Sequence, residues 1–285
     1  MNTLLLSFAL AAGLLAPDPF QVTVTGHGQP MILIPGLSSS GETWDTTVAH
    51  YQARFQCHVL TVAGFAGVPR VPAPMLEHVR EGLAAYIREK KLDHPVIVGH
   101  SLGGFVALDL AVHHPELAGK LVIVDAYPFF AGIAGGSTTP EQVKQIVEGM
   151  RGAMGAQTQD DYVRYVKSGV ATRSMVEKES DFERIMNWGL TSDRTAVTDA
   201  MCELFGADLR EDLGAIKIPT LVLGSWIGYK QYNTDREHVD ANLHAQYAKL
   251  AGVRIAITDT AHHFIMWDDP GWMFAQMDGF LGISR

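Results

Sequence analysis

The sequence predicts an α/β fold, a mostly parallel twisted sheet with helices on both faces and a helical segment inserted into it. Three observations lead there. Short apolar runs recur along the chain, helix-length segments separate them, and the alternation breaks once, between residues 128 and 212, before it resumes.

The runs are Met31-Ile32-Leu33-Ile34, Val59-Leu60-Thr61-Val62, Val96-Ile97-Val98, Leu121-Val122-Ile123-Val124, Leu221-Val222-Leu223 and Ile255-Ala256-Ile257. None alternates apolar with polar, which is how strands read when both faces are buried. The helix-length segments lie near 75–91, 102–113, 237–250 and 271–281. Strand, helix and strand in turn give parallel neighbours joined by right-handed crossovers. Residues 128–212 hold helical patterning and five methionines (Met150, Met154, Met175, Met186 and Met201), with no strand-like run. A stretch this long is not a structureless loop in a compact domain, so a helical cap over one edge of the sheet is expected. Its methionines serve either as core filler or as the lining of an adaptable apolar pocket. The expected division is a signal peptide at 1–18, a core domain at 19–127 and 213–285, and a cap at 128–212.

Composition narrows the class. The 285 residues are 47% hydrophobic, enough to fill one large core, and 31 acidic against 22 basic residues leave a net charge of −9. Without a basic run, nucleic acid is excluded as a partner. The opening MNTLLLSFALAAGLL carries an apolar stretch from Leu4 to Leu15, too short to span a bilayer, with Ala9 and Ala11 in an A-x-A arrangement before Pro17-Asp18-Pro19. It reads as a signal peptide, although no Lys or Arg precedes it. Export to a periplasm or the medium follows, whereas a buried N-terminal helix would leave the protein cytoplasmic. No further apolar stretch reaches the length of a membrane span. Cys57 and Cys202 show neither C-x-x-C nor zinc spacing, and no H-E-x-x-H or Asp/Glu cluster with ligand spacing appears, so no metal site is expected; no cofactor is expected either.

Gly99-His100-Ser101-Leu102-Gly103 joins the strand at 96–99 to the helix at 102–113 and fits G-x-S-x-G at a strand-to-helix turn. Such a turn lifts a serine hydroxyl out of the core, and glycines two positions either side remove the clashes that a tight turn creates. The serine then stands at a helix N-terminus, where amides and the helix dipole favour developing negative charge. An attacking serine needs an oxyanion hole, formed by the amide of the next residue and one from the loop after an earlier strand. Leu102 is the first donor. Leu37, in Pro35-Gly36-Leu37-Ser38-Ser39-Ser40-Gly41, is the candidate for the second.

With LIPGLSSSGETW, TVAGFAG, GHSLGG, LVIVD, IPTLVLG and AHHFIMWDDP in this order, the chain resembles the α/β-hydrolase superfamily, of the capped esterase and lipase-like kind. The resemblance runs from about residue 20 to the C-terminus and is weakest in the cap. It implies the α/β-hydrolase fold and a Ser, acid, His order along the chain. The family's histidine precedes a phenylalanine, which places the base at His263; His262, beside it, replaces a usually small residue and is the alternative. The acid departs from the pattern. Most members carry an aspartate shortly after the strand that reads Leu221-Val222-Leu223-Gly224, but here Ser225-Trp226-Ile227-Gly228 follows. Two candidates stand elsewhere, Asp125 at the end of the strand after the elbow helix and Asp235 in an apparent insertion. Either would fix the tautomer of His263 and stabilise its imidazolium.

The expectation is a serine hydrolase, carboxylesterase first and lactonase, thioesterase or carbon–carbon bond hydrolase after it, acting on a small to medium, largely apolar small-molecule ester. A cofactor-free perhydrolase or haloperoxidase, or a ligand receptor on the same fold, is the alternative.

Overall fold

A computed structural model describes residues 17–133, 138–232 and 234–283, so the apolar segment at 4–15, read above as a signal peptide, lies outside the described residues. Seven strands form one sheet: β1 (Phe20–Gly26), β2 (Gln29–Ile34), β3 (Phe55–Val62), β4 (Val96–His100), β5 (Lys120–Val124), β6 (Thr220–Ser225) and β7 (Arg254–Thr258). Their order is β1-β3-β2-β4-β5-β6-β7. Every neighbouring pair is parallel except β1 with β3. The mostly parallel sheet is thus the expected one. β1 has no counterpart among the apolar runs. FQVTVTG alternates, and only Phe20 is buried, because an edge strand needs cover on one face alone.

Buried strands send alternate residues to opposite faces, and both faces are covered. Ile32, Ile34, Ile97, Leu121 and Ile123 meet α2 (Met75–Glu89) and α3 (Leu102–His113). Met31, Leu33, Val96, Val98, Leu221 and Leu223 meet α1 (Asp45–Tyr51), α9 (Ile265–Asp268) and α10 (Pro270–Leu281). Helix α3 is buried from Leu102 to Ala111 on every side, which is why its sequence is apolar without a polar stripe.

Between β5 and β6 lie α4 (Pro140–Gly155), α5 (Gln159–Ser168), α6 (Glu179–Thr191) and α7 (Arg194–Gly206); α8 (Arg236–Gln246) precedes β7. These helices share the apolar clusters of the sheet. Phe182, Ile185 and Trp188 of α6 join the cluster of α9 and α10, and Ala196, Val197, Ala200 and Leu204 of α7 join that of α2 and α3. Met154, Met175 and Met186 pack against the same two clusters. Helix α2 begins after Pro74, which has no side-chain acceptor; Glu203 of α7 supplies one, taking the Met75 and Leu76 amides at 2.8 and 2.7 Å.

The turn from β4 to α3 leaves no room for side chains. A Cβ on Gly99 would lie 2.2 Å from Gly103 O, one on Gly103 2.3 Å from Ile34 O, and one on Gly104 2.5 Å from Ala126 Cβ. Gly103→Ala therefore pushes α3 away from β2, and overpacking of this kind should cost about 3 kcal/mol. Urea unfolding checks it: an unchanged midpoint would mean that the turn tolerates the methyl group.

Candidate active site

Ser101 sits between β4 and α3 at φ 53° and ψ −122°, a conformation that non-glycine residues rarely adopt. The turn persists because it is held on both sides. Its amide donates to Val124 O of β5 at 2.9 Å, and its carbonyl accepts the Gly104 amide at 2.8 Å. The Leu102 amide lies in the first turn of α3, where no intrahelical acceptor exists. The 35–41 loop passes directly against the serine: a Cβ on Gly36 would be 3.2 Å from Ser101 Cβ and 3.1 Å from His100 Nδ1. Among the described residues, neither the Leu37 nor the Leu102 amide has a hydrogen-bond acceptor. Both expected oxyanion donors are unspent.

Asp125 follows β5 at φ 46°, in the left-handed region that aspartate tolerates better than most residues. Its amide donates to Leu223 O at 2.7 Å, tying the residue to β6. The carboxylate is almost wholly buried, and each oxygen has one donor: the Ser225 amide on Oδ1 at 2.9 Å, and His263 Nδ1 on Oδ2 at 2.6 Å. A carboxylate can only accept here, so the imidazole carries its proton on Nδ1 and leaves Nε2 free to take one. Ser225 joins the two loops, because its hydroxyl donates to Ala261 O at 2.7 Å. The strand exit without a carboxylate thus provides the amide that anchors the carboxylate of the neighbouring strand.

Asp235, the other candidate acid, caps α8. It accepts the His238 amide at 2.9 Å and meets the His238 ring at 2.7 Å, and these bonds hold its carboxyl below the usual carboxylate range. It is exposed and paired away from His263. His262 likewise has a partner of its own, with its amide and Nδ1 at 2.9 and 3.0 Å from Asp268 Oδ2.

His100, the residue before the serine, escaped sequence reasoning, since its position in the pentapeptide accepts any residue type. Its Nε2 lies 3.1 Å from His263 O, which can only accept, so the ring is protonated on Nε2; its Nδ1 is buried without a partner. Burial holds this imidazole well below its ordinary range, and the neighbouring His263 adds to the effect. Below pH 6.5 the unfolded chain takes up a proton there that the folded chain does not. The stability contribution is therefore complete above that pH and is lost as the pH falls beneath it, at up to about 1.4 kcal/mol per pH unit. Urea unfolding of wild type and His100→Gln at pH 5 and pH 7 should give the variant the shallower loss on acidification; equal losses would assign the acid sensitivity to other groups.

Among the described residues, no group of three or more His, Cys, Asp or Glu is arranged to hold a metal ion, and no helix is long and apolar enough to cross a membrane. The Cys57 thiol, pushed up to about 11 by burial, stands apart from this chemistry.

Comparison with known proteins bears on the family and the fold. The model of the Alpha/beta hydrolase family matches residues 31–276. The pimeloyl-[acyl-carrier protein] methyl ester esterase of Vibrio atlanticus (strain LGP32) is 27% identical over 205 residues, covering 70% of this chain and 76% of that protein. The N-formylmaleamate deformylase of Pseudomonas putida is 26% identical over 261 residues, 90% of each. Among solved structures, an esterase from Exiguobacterium antarcticum superposes with a TM-score of 0.74 at 18% identity, over 92% of this chain and 95% of that one, a likeness of fold.

Proposed function

We infer that this chain, which belongs to the alpha/beta hydrolase family and is an ester-acting hydrolase, cleaves a carboxylic ester of a small to medium, largely apolar substrate through an acyl-enzyme on Ser101. His263 takes the hydroxyl proton through Nε2, and the alkoxide attacks the ester carbonyl. Asp125 holds the Nδ1–H tautomer and stabilises the imidazolium that forms. The Leu37 and Leu102 amides receive the charge developing on the carbonyl oxygen. His263 then returns its proton to the leaving alcohol, and water attacks the acyl-enzyme with the same base.

One observation carries the reading. The His263 ring is bonded to a buried carboxylate, and its carbonyl is bonded to the residue preceding a serine held on a strained turn. The apolar character assigned to the substrate is supported by the methionines and aromatics of the 128–212 segment, read as the cap, of which Met175, Phe182, Met186 and Trp188 share an apolar cluster with Phe264, the residue after His263. The ester linkage is supported by the relative named as a methyl ester esterase. The N-terminal apolar stretch supports action outside the cytoplasm.

The test is hydrolysis of p-nitrophenyl esters across a series of acyl lengths, together with labelling by a fluorophosphonate. Turnover with one label per chain is expected. Absence of both would point to a binding role on this fold, and turnover that requires peroxide and a carboxylic acid would point to a perhydrolase.

A further inference from the structure

The short helix α9 that follows His263 runs out in two adjacent aspartates, Asp268 as its last residue and Asp269 after it, and only one of them is needed to begin the next helix. Asp269 caps α10 through the Trp272 amide at 3.1 Å, with Pro270 in the first turn. Asp268 has a different task. Its side chain is 0% exposed, and three donors converge on it: the His262 amide at 2.9 Å, His262 Nδ1 at 3.0 Å and the Glu177 amide at 3.2 Å. A buried carboxylate is stable only with such partners, and breaking the set exposes the remaining ones to a large desolvation cost.

These donors come from two places that must stay in register. His262 directly precedes His263. Glu177 belongs to the segment between α5 and α6, which also accepts the Phe264 amide on Met175 O at 3.2 Å. Residues 175–177 therefore hold the histidine loop twice, once accepting after His263 and once donating through Asp268 before it. His263 is fixed by Asp125 on its ring and by His100 on its carbonyl, but on its N-terminal side the restraint passes through His262 to Asp268.

On the reading that His263 is the base, we propose that Asp268 is a positioning residue: together with His262 it forms a second aspartate–histidine pair that couples the inserted helical segment to the placement of His263. The pair touches no reacting atom. It sets where the base stands when the serine proton is transferred, and a displacement of about 1 Å there is enough to cost on the order of a hundredfold in rate.

The experiment compares Asp268→Ala and Asp268→Asn with wild type on a p-nitrophenyl ester, each rate divided by the number of sites titrated with a fluorophosphonate. Asparagine keeps one acceptor oxygen, enough for His262 but with its amino group then facing the Glu177 amide; alanine keeps none. Asp268→Ala should lose about ten- to a hundredfold in kcat per titrated site, with KM within about twofold. Asp268→Asn should recover part of that loss, through the His262 bonds that it keeps, and in each variant the rate constant of phosphonylation should fall in the same proportion as kcat. Fewer titratable sites or a lower melting temperature, with unchanged kcat per site, would overturn the proposal and leave Asp268 a folding role. His262→Ala is a second check that spares the carboxylate: it should lose less than Asp268→Ala, because the His262 amide still reaches Asp268. Equal turnover per site in all variants overturns the proposal as well. An inactive, unlabelled wild type would instead overturn the hydrolase reading itself.

Discussion

Ser101→Ala should abolish both ester turnover and fluorophosphonate labelling, with kcat falling by about ten-thousandfold or more, because the attacking oxygen is gone while the rest of the site remains. The fold should survive. Alanine keeps the Cβ at φ 53°, so the strain of the turn is the same in both proteins, and the bonds from the residue 101 amide to Val124 O and from the Gly104 amide to the residue 101 carbonyl use backbone atoms alone. The melting temperature should therefore stay within a few degrees of wild type, and circular dichroism should not change. A variant that still takes up the label would move the nucleophile to another residue. A variant that loses activity only because it unfolds would show the loss in its melting curve, and the two outcomes separate cleanly.

Asp125→Asn should be the second large loss, about ten-thousandfold in kcat. The reason lies in the two donors that this side chain serves. Oδ1 accepts the Ser225 amide and Oδ2 accepts His263 Nδ1–H. An asparagine has one acceptor oxygen, so its amino group must face one of those donors. If it faces His263, the ring takes the other tautomer and Nε2 can no longer receive the serine proton. If it faces Ser225, a buried amide is left unsatisfied at a cost of about 1–3 kcal/mol. Asp235→Asn supplies the control: asparagine caps a helix as well as aspartate, and kcat should stay within about twofold. Parallel kinetics of the two variants on one ester decide the matter, and comparable losses from both would remove Asp125 from its assigned role.

The serine turn and the sheet were readable because they rest on short-range constraints. The glycines at 99, 103 and 104 mark a turn in which β4 and α3 meet at atomic contact, and apolar runs without alternation mark strands covered on both faces. Strand β1 escaped because its alternation belongs to a half-exposed edge, whereas unbroken apolar runs mark only strands buried on both faces. Ser225, His100 and Asp268 escaped for another reason. Their residue types are common at such places, and what distinguishes each is a partner reached through folding: Asp125 and Ala261 for Ser225, His263 O for His100, and Glu177 for Asp268.

By itself the sequence determined the α/β class, the serine turn, the loop of Leu37 after β2 and the histidine after the last strand, since each is encoded within a few neighbouring residues. Which carboxylate meets that histidine was decided by tertiary structure alone. Asp125 lies 138 positions from His263 and 100 from Ser225, and the choice between it and Asp235 depends on bringing all three to adjacent strand ends. The pairing of β5 with β6 does this: the Asp125 amide bonded to Leu223 O puts its carboxylate beside the Ser225 amide, and the parallel register of β6 with β7 brings the loop of His263 to the same edge.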